Sequence, residues 1–319
     1  MNRNAAGHLL TLLTVLIWGI TFVSTKILLR DFSPVEILFA RFLIAYIALW
    51  LIRPGLFGLG KAERGNKPEW KLEWKLEWKH EAYFAAAGAL GVTLYFLLEN
   101  FALNYTLASN TSMIVSTAPM FTALLALCFL RAERPGARFF IGFCVAMAGI
   151  FLISFGGGSI TAVSFTHLGD LLAALAAVTW ALYSIIVKRL GASSYDIIRM
   201  TRRIFFYGLL FTIPALFAFH CGPGLYRFAN PVYLFNLLFL GLGASALCYV
   251  TWNFALEVLG AVRTSVYIYL IPVVTVVFSA AALKERVTPY SAAGCALILF
   301  GLFISENKKP EDQEPKNRI

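Results

Sequence analysis

Long apolar stretches, separated by short polar ones, run almost from end to end of this chain. An α-helix rises 1.5 Å per residue, so about 20 apolar residues cross the roughly 30 Å hydrocarbon layer of a bilayer. Stretches of that size predict ten spans, at 8–29, 34–52, 83–103, 109–130, 138–155, 169–187, 197–219, 232–255, 261–282 and 289–304. The seventh departs from the pattern: Arg199, Arg202 and Arg203 crowd its first turns and leave a clean apolar run only from Ile204 to Phe219. Nine spans therefore stays open as a reading. A membrane β-barrel is excluded, because barrel strands alternate apolar and polar residues over about ten positions, whereas these runs are continuous. The expected fold class is an all-α polytopic membrane protein.

The polar residues between the spans set the orientation. If the N-terminus is inside, the inner segments carry 17 Lys and Arg, seven of them between Arg53 and Lys79, and the outer loops carry four. Cytoplasmic loops concentrate Lys and Arg, so both termini are expected in the cytoplasm, in a multi-pass cytoplasmic-membrane protein. Composition agrees: 59% of residues are hydrophobic and 14% charged, and the mean hydropathy is +0.74. The net charge of +10 is thus a matter of loop distribution, and nucleic acid is not an expected partner. The first apolar run is too long for a signal-peptide core and lacks a small-x-small cleavage pattern after it, so it is expected to stay as helix 1. Five Cys show no CxxC or Cys/His spacing and read as small core residues, with no metal or cofactor site.

The tetrapeptide NFAL occurs at Asn100–Leu103 and again at Asn253–Leu256. Sliding the chain over itself by 153 also pairs Gly88 with Gly241, Thr111-Ser112 with Thr264-Ser265, and Pro119 with Pro272. A shift of 162 pairs Trp18 with Trp180, Lys26 with Lys188 and Arg41 with Arg203; a shift of 152 pairs Gly142 with Gly294 and Gly149 with Gly301. The order of these landmarks predicts a duplicated five-helix unit, residues 1–155 (with a cytoplasmic loop at 53–82) and 156–305, followed by a polar tail at 306–319. Five is odd, so the second unit starts on the other side of the membrane and the repeats are inverted. Such repeats let one sequence pattern build inward-open and outward-open shapes by exchanging conformations.

The chain resembles the drug/metabolite transporter superfamily, in its EamA-like branch of ten-helix carriers. The resemblance spans residues 7 to 305. It is carried by Trp18 and Lys26, by ARFLIA at Ala40–Ala45, by NFALNYTLASNTSMIVSTAPMFTALLA at Asn100–Ala126, by LRAE at Leu130–Glu133, and by LGAVRTSVYIYLIPVVTVVFSAAALKE at Leu259–Glu285. It implies transport without catalysis, export more often than uptake, and a pathway lined largely by helices 4 and 9 with their neighbours. None of these motifs specifies a substrate.

Several residues are candidates for that pathway. Pro119 and Pro272 stand mid-helix, where each removes a backbone hydrogen bond and crowds the carbonyl four residues back; they mark either a wet cavity or a packing kink. Ser112, Ser116 and Pro119 share one face of helix 4, and their counterparts on helix 9 are Ser265, Tyr269 and Pro272. Tyr267 falls off that face. Asn100 and Asn253 are repeat mates. Trp18 and Trp180 either wall a cavity or anchor at an interface. Glu99 is an acid inside the membrane, a candidate proton or cation site, or else it reaches up to the outer headgroups or pairs with Lys26. Arg41 and Arg203 are buried cations, either structural, with Glu36 a plausible mate for Arg41, or attracting a substrate anion. Asp196 and Arg199 form an i, i+3 pair at the start of helix 7. Gly142, Ala146 and Gly149, echoed by Gly294 and Gly301, predict close backbone packing. The tract Glu69–Glu81, with its EWKL units, is either an interfacial helix or a short expansion without a role.

Hydrolase, zincin and nucleotide-binding motifs are missing from the sequence; GLGASA at Gly241 mimics a dinucleotide fingerprint only by letters. The expected function is a secondary or facilitative transporter of small metabolites, foremost an amino-acid exporter working by alternating access, in contact with lipid and with protons as a candidate coupling ion. A multidrug carrier and a non-transporting sensor or assembly protein are the alternatives. Monomer or homodimer is left open.

Overall fold

The computed structural model describes residues 2–54, 80–105, 108–130, 135–155, 167–191, 195–219, 227, 229–283 and 288–306. The EWKL tract, apart from its last two residues, lies outside that set, as do Cys221 and the tail after Glu306. Among the described residues the fold is entirely helical. In chain order the helices are α1 (Arg3–Leu28), α2 (Pro34–Ile52), α3 (His80–Tyr105), α4 (Ala108–Val115 resuming at Ala118–Phe129), α5 (Ala137–Phe155), α6 (His167–Gly191), α7 (Ile197–Ala218), α8 (Pro231–Leu259), α9 (Ala261–Leu283) and α10 (Pro289–Glu306). Eight are long and apolar enough to cross a membrane; α5 and α10 are apolar over the shorter stretches Ala137–Ile153 and Pro289–Ser305. The Arg-rich seventh qualifies, so the nine-span reading finds no support there.

Local chemistry fixes several ends. At α2, Ser33 and Glu36 cap each other's backbone N–H groups and Pro34 takes the first helical position, where its missing N–H costs nothing. Glu36 is therefore not the partner of Arg41: it pairs instead with Arg227, 2.6 Å away. At α7, Asp196 accepts from the Arg199 backbone and forms an ion pair with Arg53 at 3.5 Å. The expected i, i+3 contact of Asp196 with Arg199 includes this cap, because a short acid one position before a helix reaches free backbone N–H groups.

Four helices are irregular, each in a telling place. α3 is π-helical over Ala89–Leu94 and α8 over Phe239–Leu247. Wider winding turns carbonyls outward, and each stretch has one capped by an aromatic donor: Tyr249 Oη donates to Gly91 O at 2.6 Å, and Trp18 Nε1 to Ala244 O at 3.0 Å. α4 breaks between Val115 and Ala118, just before Pro119. α9 tightens into a 3-10 turn at Tyr267–Tyr269, just before Pro272.

α5 and α10 pack along glycines. A Cβ on Gly142 would lie 2.5 Å from Gly301 O, and one on Gly149 2.6 Å from Gly294 O, so the two run antiparallel with backbones in contact. The main core joins the other helices through an aromatic knot in which Trp18, Trp180 and Trp252 stand 5.0 to 5.8 Å apart. Outward faces are apolar, with Leu9, Leu12 and Leu16 on α1 and Leu171 and Leu175 on α6 exposed, as a lipid-facing surface requires. Of the described cysteines only Cys248 is buried; Cys128 and Cys144 lie exposed, a correction to their reading as core residues. A thiol is apolar enough to face lipid as readily as a core.

Candidate functional site

Beside the aromatic knot, whose Trp18 and Trp180 face it, α1, α2, α3, α4, α6 and α9 surround a cavity of about 650 Å³, counting its open mouth. Its wall is built one helix at a time. α1 contributes Trp18, Thr21, Phe22 and Thr25, which share a face by i, i+3, i+4, i+7 spacing. α3 contributes Tyr95, Phe96, Glu99, Asn100 and Leu103, again one face. α4 supplies Ser112, Val115 and Ser116 beside its break, α6 supplies Trp180, α9 supplies Ile268 and Ile271, and α2 supplies Arg41.

Two opposite charges stand on this wall. Arg41 is 2% exposed; its Nε donates to Ser245 Oγ at 2.9 Å and its guanidinium lies 4.3 Å from the Phe96 ring centroid. Among the described residues no carboxylate comes within 4.0 Å of it. Glu99, 8% exposed, accepts from Tyr95 Oη at 3.3 Å, and neither Lys26 nor the surface takes it. Both line the same cavity, and no ion pair joins them. Each is thus held on one side by the protein and open on the other, and a buried charge left so needs a counter-charge or water. Around them are Trp18, Trp180, Tyr95 and Phe96, with Trp18 and Trp180 ring centroids 5.2 Å apart. These two tryptophans wall the cavity.

Asn100 reaches across to donate to Pro34 O at 3.2 Å, tying α3 to the start of α2. Ser116 Oγ donates to Ser112 O at 2.7 Å, back onto the last turn before the α4 break. The other expected residues lie elsewhere. Pro119 and Pro272 are buried without lining the cavity. Asn253 is buried between Tyr183 and Thr201, Ser265 bonds Val262 O, and Tyr269 sits in a separate core beside Phe143. Arg203 pairs with Glu81, away from the cavity. On α9 the cavity face is Ile268 and Ile271, not 265, 269 and 272. The expectation assumed 100° per residue throughout, and the 3-10 turn at 120° per residue rotates the register by about 60°.

Sequence reasoning overlooked Thr21, Phe22, Thr25, Tyr95 and Phe96. The helical spacing from Trp18 and from Glu99 was available as a signal for all five. Ser245, the anchor of Arg41, lay inside GLGASA and had no signal, because its nearness to Arg41 depends on how α8 crosses α2.

A family model described as "EamA-like transporter family" matches residues 5–155 and 167–306. The chain is 33% identical over 312 residues to an "Uncharacterized transporter" of Archaeoglobus fulgidus, covering 96% of this chain and 99% of that one. It is 27% identical over 292 residues to a "Probable terminal-alkyne amino-acid exporter" of Streptantibioticus cattleyicolor, covering 92% and 90%. A solved crystal structure shares the fold with a TM-score of 0.69 over 95% of this chain and 97% of that one, at 19% identity.

Proposed function

The chain belongs to the EamA-like transporter family, and from that premise we propose that it exports amino acids or closely related zwitterions by alternating access of one central cavity. It is a multi-pass membrane transporter and not an enzyme. The observation that carries the substrate class is the unjoined pair of charges: Arg41 and Glu99 face one aromatic chamber, each with bonding capacity to spare. A guanidinium suits a carboxylate and a carboxylate suits an ammonium, while Trp18, Trp180 and Phe96 suit an apolar side chain. The relative named as an amino-acid exporter supports the same reading. Glu99, the acid of the cavity wall, doubles as the carrier of a coupled proton.

The framework of this reading is ten spans in two inverted five-helix repeats, 1–155 and 156–305, with both termini cytoplasmic and 306–319 as a polar tail. Reciprocal contacts support it. Gly142 meets Gly301 and Gly149 meets Gly294, a pairing that maps onto itself when each residue is exchanged for its mate. Gly91 and Ala244, mates at a shift of 153, are the two π-segment carbonyls capped by aromatic donors. Trp18 and Trp180, mates at 162, touch. The two matched stretches of the family model fall on either side of 156–166.

A thermal-stability screen of the purified transporter tests the substrate class, since a ligand that binds the folded state raises its apparent stability with occupancy. Apolar amino acids are expected to stabilise, and their amides and N-acetyl forms, each lacking one charge, to do so far less. Stabilisation by cationic drugs with none by amino acids would replace this reading with a multidrug carrier.

A further inference from the structure

We propose that Ser245 is the positioning residue of a carboxylate site: it takes the Nε–H of Arg41 and so reserves the guanidinium's terminal Nη groups for an end-on contact with the substrate carboxylate. The proposal rests on the amino-acid reading of the cavity and concerns a helix outside its wall. Among the described residues α8 lends no side chain to the cavity, yet it grips three of the helices that do. Ser245 Oγ accepts from Arg41 on α2, Ala244 O accepts from Trp18 on α1, and Tyr249 Oη donates to Gly91 O on α3. Arg41 and Trp18 are themselves wall residues, so two consecutive positions of α8 fix the cation and one of the aromatic walls together.

The winding of α8 makes this grip available. In a regular α-helix Cys248 N–H would bond to Ala244 O, four residues back. Here it reaches Gly243 O and Ser245 O instead, and Trp18 Nε1 serves Ala244 O. Gly241, one turn before Ser245, lets α2 come close. A Cβ there would lie 2.7 Å from Ile44 Cγ2 and 3.1 Å from Arg41 O. Ser245 is 0% exposed, so its hydroxyl meets Arg41 without competition from water.

The consequence follows from the shape of a guanidinium. It can hold a carboxylate side-on, through Nε and one Nη, or end-on, through both Nη groups. Ser245 closes the first route by occupying Nε. Two rings restrict rotation, since the guanidinium carbon lies 4.3 Å from the Phe96 centroid and 5.3 Å from that of Phe42. Among the described residues neither Nη has a hydrogen-bond partner. Without the Ser245 hydroxyl, Nε–H becomes a buried donor that lacks an acceptor, and satisfying it turns the fork away from its aim. Arg41 touches the substrate; Ser245 acts through Arg41.

Efflux of labelled leucine from proteoliposomes, together with thermal stabilisation by isovalerate, a carboxylate without an ammonium, tests the proposal. Ser245→Ala is expected to raise the KM for leucine roughly five-fold and to leave the maximal rate unchanged. The isovalerate concentration that gives half-maximal stabilisation should rise by about the same factor. In an Arg41→Ala background, Ser245→Ala is expected to cost nothing further in flux at subsaturating leucine, because two residues that act as one unit are not additive. Equal losses in both backgrounds, an unchanged KM, or a fall in the maximal rate alone overturns the proposal. If isovalerate binding depends on Ser245 while no amino acid crosses the membrane, the positioning role stands and the exporter reading falls. Leucine efflux indifferent to Ser245 does the reverse, and a wild type that takes neither ligand overturns both.

Discussion

Arg41 and Glu99 set the chemistry at the scale of single residues. Arg41→Ala removes the cavity's guanidinium, and with hydrogen bonds to charged groups worth about 1.5–3 kcal/mol, amino-acid flux at subsaturating concentration should fall ~10- to 100-fold. Arg41→Lys is expected to recover only part of it, because an ammonium cannot reproduce a forked contact to a carboxylate while also holding Ser245. Glu99→Gln keeps the shape and the Tyr95 contact but cannot titrate, so flux driven by an imposed pH gradient should lose its pH dependence. Unchanged rate and unchanged pH dependence in proteoliposomes would remove Glu99 from coupling. The charges themselves were legible in the sequence because an ionisable residue stands out in an apolar span. Their partners were not: Arg41 has Glu36 five residues away in the chain, yet its bond goes to Ser245, 204 positions away.

Helix irregularities position the cavity at the next scale. The break in α4 and the 3-10 turn in α9 each precede a proline, and the π segments of α3 and α8 have no proline at all. Proline positions could be read from the sequence; π segments could not, since their cause is the tertiary capping of a turned-out carbonyl. Trp18→Phe, which keeps an aromatic but smaller ring and leaves Ala244 O without its donor, is expected to cost about 1–3 kcal/mol of stability; no change in denaturation midpoint would show that the cap is dispensable. The glycines of α5 and α10 were readable as a pattern, and their contacts turn it into a number. Gly149→Ala places a Cβ 2.6 Å from backbone and should destabilise by ~1–3 kcal/mol, whereas Gly136→Ala, with nothing within 4 Å, should be neutral. Equal melting temperatures for the two variants would contradict the close approach.

At the scale of the whole molecule, the helical fold, membrane residence and family follow from long apolar runs and spaced motifs, because those signals are local and repeated. Which residues share a chamber is a different matter. Ser265, Tyr269 and Asn253 were grouped with Ser112, Ser116 and Asn100 by repeat logic, yet the structure separates the two groups into an open wall and a closed core. The account therefore requires one solute to be handled by a chamber whose recognising charges sit in one half. The direct measurement is efflux of labelled phenylalanine from preloaded proteoliposomes, for the wild type and for Arg41→Ala. Saturable efflux, inhibited by excess leucine but not by leucinamide and reduced at least ~10-fold in the variant, is the expected result; efflux indifferent to Arg41, or equal for the amide, would contradict the account.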